Sequence, residues 1–288
     1  MRLLVTGGAG FLGSAFAALA RAGGHTVVTV DRQGSADHLC DIGDETAARP
    51  IVAAARPDCI VHLAAALTDA AAADVVTATR VIALGTAALF AAAVAHGVPR
   101  VVYASSVAAV GPCPDGSGDG VALDPRTIYG ATKAFGEHLA RAMDAAGSTR
   151  FVALRFGWVY GPGRARGWRV AQDMIERFAA GEREVPFADI KEPMDWTYVD
   201  DAADILLRAA GMHLAAFTAL NVVGDRRVIG DAARYLEARF RGARAVPIPS
   251  ETPASGWGIR NDRLAEVLGV VPSTRLEDGI ARMLGRSD

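Results

Sequence analysis

Tyr129 and Lys133 stand four residues apart in the stretch YGATK (129–133). On a helix that spacing puts both side chains on one face. A free tyrosine titrates near ~10 and is a poor base at neutral pH. An ammonium one turn away, joined by the charge of an oxidised nicotinamide, would favour the phenolate. Lowering a phenol by about three pH units takes roughly 4 kcal/mol of such preference. Ser106 closes the stretch YASS (103–106), at the end of an apolar run of strand character. A hydroxyl there could hold the substrate oxygen whose proton Tyr129 takes or returns. Each feature also has a plain counterpart, since Tyr-x-x-x-Lys occurs on many helices and serines cap many strand ends.

Hydride chemistry needs a carrier, and the start of the chain suggests one. LLVTGGAGFLG (3–13) sets Gly7, Gly8, Gly10 and Gly13 between a strand-like run and a helical run that starts at about Phe11. Such a turn lets the backbone approach a pyrophosphate, and the helix N-terminus supplies free N–H groups. The spacing Gly7-x-x-Gly10-x-x-Gly13 differs by one residue from the common G-x-G-x-x-G. Phe11 and Leu12, inside the turn, join these glycines as cofactor contacts. Asp31 ends the next apolar run, where a carboxylate accepts from an adenosine ribose and repels a 2′-phosphate. NAD is therefore favoured over NADP, although Arg32 next door is a group able to hold that phosphate. Asp41 and Ile42 either meet the adenine edge, or Asp41 begins a helix.

These residues must be carried by a particular frame. Leu3–Thr6, Val27–Val30, Cys59–Leu63, Arg100–Ala104 and Phe151–Arg155 read as strands, with helical runs near 11–22, 44–55, 75–96 and 129–146 between them. Strands apolar on both faces imply a parallel sheet covered by helices on both sides, a doubly wound α/β Rossmann fold. Open sheets of this kind bind ligands beyond the carboxyl ends of their strands, where Ser106 and the glycine turn lie. Residues 1–157 are expected to form this dinucleotide-binding domain. Residues 158–288 are expected to form mainly a smaller substrate lobe, partly interleaved with the sheet. Its expected elements are helices near 169–180, 200–210, 229–240, 261–268 and 276–284, and a strand near 217–222. The Gly- and Pro-rich stretch GPCPDGSGDG (111–120) is a loop that either closes over the site or idles at the surface.

The chain resembles the extended short-chain dehydrogenase/reductases of the NAD-dependent epimerase/dehydratase family. The resemblance is carried by TGGAGFLG (6–13), VDR (30–32), HLAA (62–65), ASS (104–106), YGATK (129–133), LRFGWVYGPG (154–163), DWTYVDDAA (195–203) and LEDG (276–279), in family order. It implies that Tyr129 is the general acid/base and that Ser106 binds the reacting oxygen. Lys133 would hold the nicotinamide ribose and lower the tyrosine pKa. Leu63, Ala64 and Ala65 would line the cofactor channel, with His62 structural or cofactor-adjacent. It also implies a homodimer paired through the helices near 75–96 and 129–146.

Two positions depart from relatives that act on nucleotide sugars. Where those carry an asparagine that meets the diphosphate, this chain has Trp158, and where they tend to carry an arginine it has Met194. Neither side chain can take over the lost contact. The expected substrate is therefore a small polar molecule, with Trp158 near it. Arg164, Arg166 and Arg169, in GRARGWR (163–169), are candidates to clamp its carboxylate or phosphate.

Composition narrows the classes further. The 288 residues are 51% apolar and 22% charged, with a net charge near −2. This is a globular balance that offers no nucleic-acid or membrane surface. The three cysteines lack metal-ligand spacing, and no metal is expected. Their odd number, without a secretory signal, fits a reducing cytoplasm. No apolar run looks long and glycine-free enough to span a bilayer. The leading expectation is an NAD(P)-dependent oxidoreductase that moves a hydride to or from a hydroxyl-bearing carbon of a sugar, sugar acid or lactone. The alternatives are an NAD-dependent sugar or nucleotide-sugar epimerase/dehydratase and a non-catalytic dinucleotide sensor.

Overall fold

The computed structural model describes residues 1–65, 68–167, 169–250 and 258–285. The first half runs β1 (Arg2–Thr6), α1 (Phe11–Ala22), β2 (Thr26–Asp31), β3 (His38–Leu39), α2 (Ala48–Ala55) and β4 (Cys59–His62). It continues through α3 (Thr68–Ala73), α4 (Val75–Ala78), a π-helical turn (Thr79–Leu84), α5 (Gly85–Ala95), β5 (Arg100–Ser106), α6 (Ile128–Ala146) and β6 (Arg150–Phe156). The second half holds β7 (Trp158–Tyr160), α7 (Val170–Ala179), β8 (Glu184–Asp189), β9 (Met194–Tyr198), α8 (Val199–Gly211) and β10 (Thr218–Val222). It ends with β11 (Asp225–Arg227), α9 (Ile229–Arg239), β12 (Arg244–Pro249), α10 (Asp262–Leu268) and α11 (Leu276–Met283).

Seven strands form one parallel sheet in the order β10-β6-β5-β4-β1-β2-β3. The sequence alternation explains why it is buried on both sides. Leu3 and Val5 point to one face, with Val61, Val102, Val152 and Leu154, and pack on Phe16 of α1 and on α8. Leu4 points to the other, with Ile60, Val101 and Phe151, and packs on Leu89 and Phe90 of α5. Side chains of period two, apolar at both parities, leave no solvated face and require helices on each side. This is the doubly wound α/β fold. The chain order reverses between β1 and β4, which opens the switch-point crevice at the carboxyl ends of the strands.

The later half adds small sheets, β11-β9-β7 and β12-β8, while β10 returns to the main sheet beside β6. Its helices lie near the expected places, but the short strands β7, β8, β9, β11 and β12 were not foreseen. Helix α2 begins at Ala48 rather than near residue 44, and Asp41 begins no helix. Its carboxylate instead accepts from the backbone N–H of Gly43 at 2.9 Å. One stretch bears on the expectation about glycine-free bilayer-length runs, and it contains Gly85. Val75–Ala95 makes 21 residues of helix, long and apolar enough to cross a membrane by composition alone. Half of its most apolar window is buried here, and its turns pack on α2 and α6 as core helices do.

Candidate functional site

The glycine turn leaves β1 at Gly7, whose φ of +71° suits glycine. A Cβ on Gly7 would stand 2.7 Å from the Ala64 nitrogen, and one on Gly13 would stand 2.0 Å from the Gly7 carbonyl oxygen. The turn is therefore bare backbone, pressed between α1 and the end of β4. Helix α1 starts at Gly10 with no side-chain cap and no acid in its first turn. Its first N–H groups and positive dipole end face the crevice without an internal anion, which is what a pyrophosphate requires. Asp31 stands across the turn and accepts from the Ala9 N–H at 3.1 Å, so its carboxylate is held at the rim. Arg32 is exposed beside it. These features fit a dinucleotide.

The end of β4 completes the channel. Leu63 N–H bonds the Thr6 carbonyl at 3.0 Å, and Ala64 lies over Gly7. Ala65 packs in a small cluster with Ile82, Ile128 and Tyr129, which joins the channel to α6. His62 is buried between Thr6 (2.7 Å) and Thr86 (2.9 Å). Burial pushes its imidazole down to about 3, so it is a neutral structural group. Ile42 is buried under Gly85, and Asp41 lies 3.8 Å from Arg80.

Helix α6 brings the reacting groups together. Thr127 caps it, accepting from the Gly130 N–H at 2.9 Å, so the helix begins one residue before Tyr129. A Cβ on Gly130 would meet the Ala108 carbonyl oxygen at 2.2 Å. Only glycine lets the helix start lie this close to the turn that follows Ser106. The Ser106 hydroxyl accepts from the Ala108 N–H at 3.2 Å and donates to the Phe156 carbonyl at 3.4 Å, and it lies near enough to the Tyr129 phenol to favour the ionised form. Lys133 lies one turn on, with Nζ 5.7 Å from the Tyr129 ring centre and 4.9 Å from that of Tyr103, donating to the Ala104 carbonyl at 2.7 Å.

The electrostatics differ from the sequence expectation. Burial pushes the Tyr129 phenol up, to about 12, and outweighs the nearby Ser106 hydroxyl and the charge of Arg164, which pull it down. The cation acting on the phenol is thus Arg164, while Lys133 is itself pushed down by burial to about 7, with Glu137 opposing.

The three arginines separate. The Arg164 guanidinium stands 5.7 Å from both the Phe11 and Trp158 ring centres and donates to the Val159 carbonyl at 2.7 Å. Burial, then the charge of Arg169, brings it down to about 10. Arg166 is exposed and faces the Gln33 side chain, whose amide, oriented to accept, lies 2.7 and 3.0 Å away; this is the Asp31 side of the crevice. Arg169 pairs with Asp173 (2.8 Å) and Glu176 (2.5 Å) on α7 and also donates to the Arg164 carbonyl, so it ties the loop to that helix. Trp158 is buried in an aromatic group, stacked on Tyr160 at 5.6 Å and edge-on to Trp196 at 4.7 Å, and Met194 is fully buried. The 111–120 loop is tied down at several points. Gly116 N–H bonds the Gly258 carbonyl at 2.7 Å, Asp115 pairs with Arg226 at 2.7 Å, and Asp119 accepts from the Asn221 N–H at 2.5 Å.

Three charged neighbours of the site escaped the sequence reading. Glu137, one turn beyond Lys133, and Arg155, inside LRF, form a buried ion pair at 2.8 Å, and Ser105 donates to Glu137 at 2.5 Å. Asp195 is buried under Gly157, and burial lifts its carboxyl to about 6. The i, i+4 spacing of Lys133 and Glu137 was the available signal.

Known proteins resemble this chain. The family model described as NAD dependent epimerase/dehydratase family matches residues 3–222. UDP-glucose 4-epimerase of Mycolicibacterium smegmatis is 29% identical, over 98% of this chain and 97% of its own. The 3-diazoavenalumate denitrifying reductase of a Streptomyces species is 31% identical, over 98% and 100%. Among solved structures, MoeE5 in complex with UDP-glucuronic acid and NAD has a TM-score of 0.85 at 26% identity, covering 99% of this chain and 98% of that one. The UDP-glucose 4-epimerase of Thermotoga maritima has a TM-score of 0.87 at 24% identity over the same shares, a likeness of fold. The chain belongs to the NAD-dependent epimerase/dehydratase family and is an NAD-dependent enzyme of the extended short-chain dehydrogenase/reductase type.

Proposed function

We propose that the chain is an NAD-dependent epimerase that inverts a hydroxyl-bearing carbon of a nucleotide-linked sugar through a transient ketone. This ranks the epimerase reading above the simple dehydrogenase that the departures at Trp158 and Met194 had favoured. The relatives named as epimerases support that order. The observation that carries the proposal is the grouping of Ser106, Tyr129 and Lys133 at the carboxyl end of the sheet beside the glycine turn.

Bound NAD supplies an acceptor for the hydride, a donor for its return, and a positive ring that lowers the energy of a nearby phenolate. Gly7, Gly10, Phe11, Leu12 and Gly13 would hold its pyrophosphate, Asp31 its adenosine ribose, and Leu63, Ala64 and Ala65 its path across the sheet. Lys133 would hold the nicotinamide ribose. Tyr129 takes the hydroxyl proton and later gives it back, while Ser106 fixes the oxygen in line with the phenol. Arg164 offsets negative charge beside that oxygen, which suits an acidic sugar or a diphosphate.

A second reading, oxidation of a small sugar acid or lactone, is favoured by Trp158 and Met194 being packed in the core where an amide and a guanidinium would serve a diphosphate. One experiment separates them. The chain is incubated with NAD or NADP and UDP-glucose, UDP-glucuronic acid, uronates, aldonates or lactones, and products are followed by NMR beside reduced-cofactor absorbance. A new epimer without net cofactor reduction is expected. Reduction in proportion to a consumed small acid, with nucleotide sugars untouched, overturns the epimerase.

A further inference from the structure

The buried pair behind the reacting groups has a task that packing alone does not explain. Lys133 is 2% exposed, and among the described residues its ammonium donates to the Ala104 carbonyl, a neutral acceptor. The groups packed around its ammonium are Tyr103 from β5, Tyr129 from its own helix, and the neutral His62 from β4, which stacks on Tyr103 at 5.6 Å. None of these carries a negative charge at neutral pH. The anion that reaches Lys133 is Glu137, four residues on along the same helix face. Glu137 is 2% exposed and cannot swing away, because Ser105 holds one oxygen at 2.5 Å and Arg155 forks both at 2.8 to 3.1 Å.

We propose that Glu137 is a positioning residue that keeps Lys133 protonated, that Arg155 tunes its strength, and that this pair sets the alkaline limit of activity. The proposal rests on the reading in which a charged Lys133 is needed for turnover. Three buried groups are coupled, two cations and one anion. Burial alone pulls the Lys133 ammonium toward neutrality, and an anion one turn away opposes it. Arg155 competes for the same carboxylate, so Lys133 receives only part of its field. A cleft of about 490 Å³ reaches the pair from outside, so protons can exchange with solvent. Its wall holds further charges. Arg141 lies over the Phe217 ring at 4.7 Å, and His138 and Arg263 line the cleft too. The Asp119 oxygens are taken by the backbone N–H groups of Asn221 and Arg263.

The sequence makes a direct test available, because Lys133 and Lys191 are its two lysines. In the full chain grown with carbon-13-labelled lysine, two ε-carbon signals should titrate, and Lys191→Arg assigns them. Glu137→Gln should move the Lys133 midpoint down by roughly one pH unit or more, a tenfold change in charge balance. Arg155→Met should move it up, since the carboxylate then faces Lys133 alone. A purely structural pair would lower stability in both variants and leave the midpoint in place, or move it the same way in both; either result overturns the proposal. Should Glu137→Gln fail to fold, Glu137→Asp, which keeps the charge but retracts it, should give a smaller downward shift, and an unchanged midpoint there sinks the idea. The alkaline limb of kcat is then measured in the same variants. If the NMR midpoints move as stated and the limb does not follow, the role given to Lys133 in turnover fails while the pairing stands.

Discussion

Arg164, held over the rings of Phe11 and Trp158, is the cation that opposes the upward push of burial on the Tyr129 phenol, whereas Lys133, one helical turn from that tyrosine, keeps its ammonium on the Ala104 carbonyl. The loop after β7 thereby couples the cofactor turn to the acid/base. Arg164→Gln removes the charge, so the phenol rises further and the phenolate becomes scarcer at a given pH. The acidic limb of kcat/KM in the oxidative direction should move to higher pH, with a loss of about 10- to 100-fold near neutrality. Arg164→Lys should recover part of it. A pH–rate profile unchanged by Arg164→Gln would remove this residue from the mechanism.

Asp31 accepts from the Ala9 N–H and stands at the rim beside exposed Arg32. A hydrogen bond to a charged group contributes about 1.5–3 kcal/mol. Asp31→Ala should therefore weaken NAD by about 10- to 100-fold and improve NADP relative to NAD, because the repelling charge is gone while Arg32 remains. Fluorescence titration with both cofactors checks this, and equal loss for both would contradict it.

The helices near the π-helical turn and α6 leave apolar side chains exposed: Leu84 at 43% and Phe135 at 44%. We expect the chain to pair through these helices as a homodimer. Sedimentation should give twice the chain mass, and Phe135→Asp should give a monomer that still binds NAD. A wild-type monomer at micromolar concentration rejects the pairing.

Much of this was legible in the sequence for physical reasons. The glycine turn could be placed because Gly7 and Gly13 allow no Cβ where backbone meets backbone, and such positions show as residue type. The sheet could be placed because strands apolar at both parities have one home. The short strands β7, β8 and β9 were harder to see, since they are held by pairing with distant partners rather than by their own pattern. The Arg155–Glu137 pair lay hidden because its members come from different elements, 18 residues apart in sequence. The ion pairs of Arg169 with Asp173 and Glu176, one and two turns along the next helix, were partly legible, since an i, i+4 count finds the first. The phenol's upward shift was not readable from Tyr129 and Lys133 alone, since burial decides it and spacing does not report burial.

The central claim is that the Tyr129 phenol, near Ser106 and beside the glycine turn, moves the proton. Tyr129→Phe tests it most directly, in a measurement that reads turnover of a confirmed substrate and NAD affinity on the same sample. Turnover should fall about 100- to 10,000-fold, the range for loss of a general acid/base, with NAD affinity kept within about threefold. Turnover at the wild-type rate with the phenol removed would contradict the account.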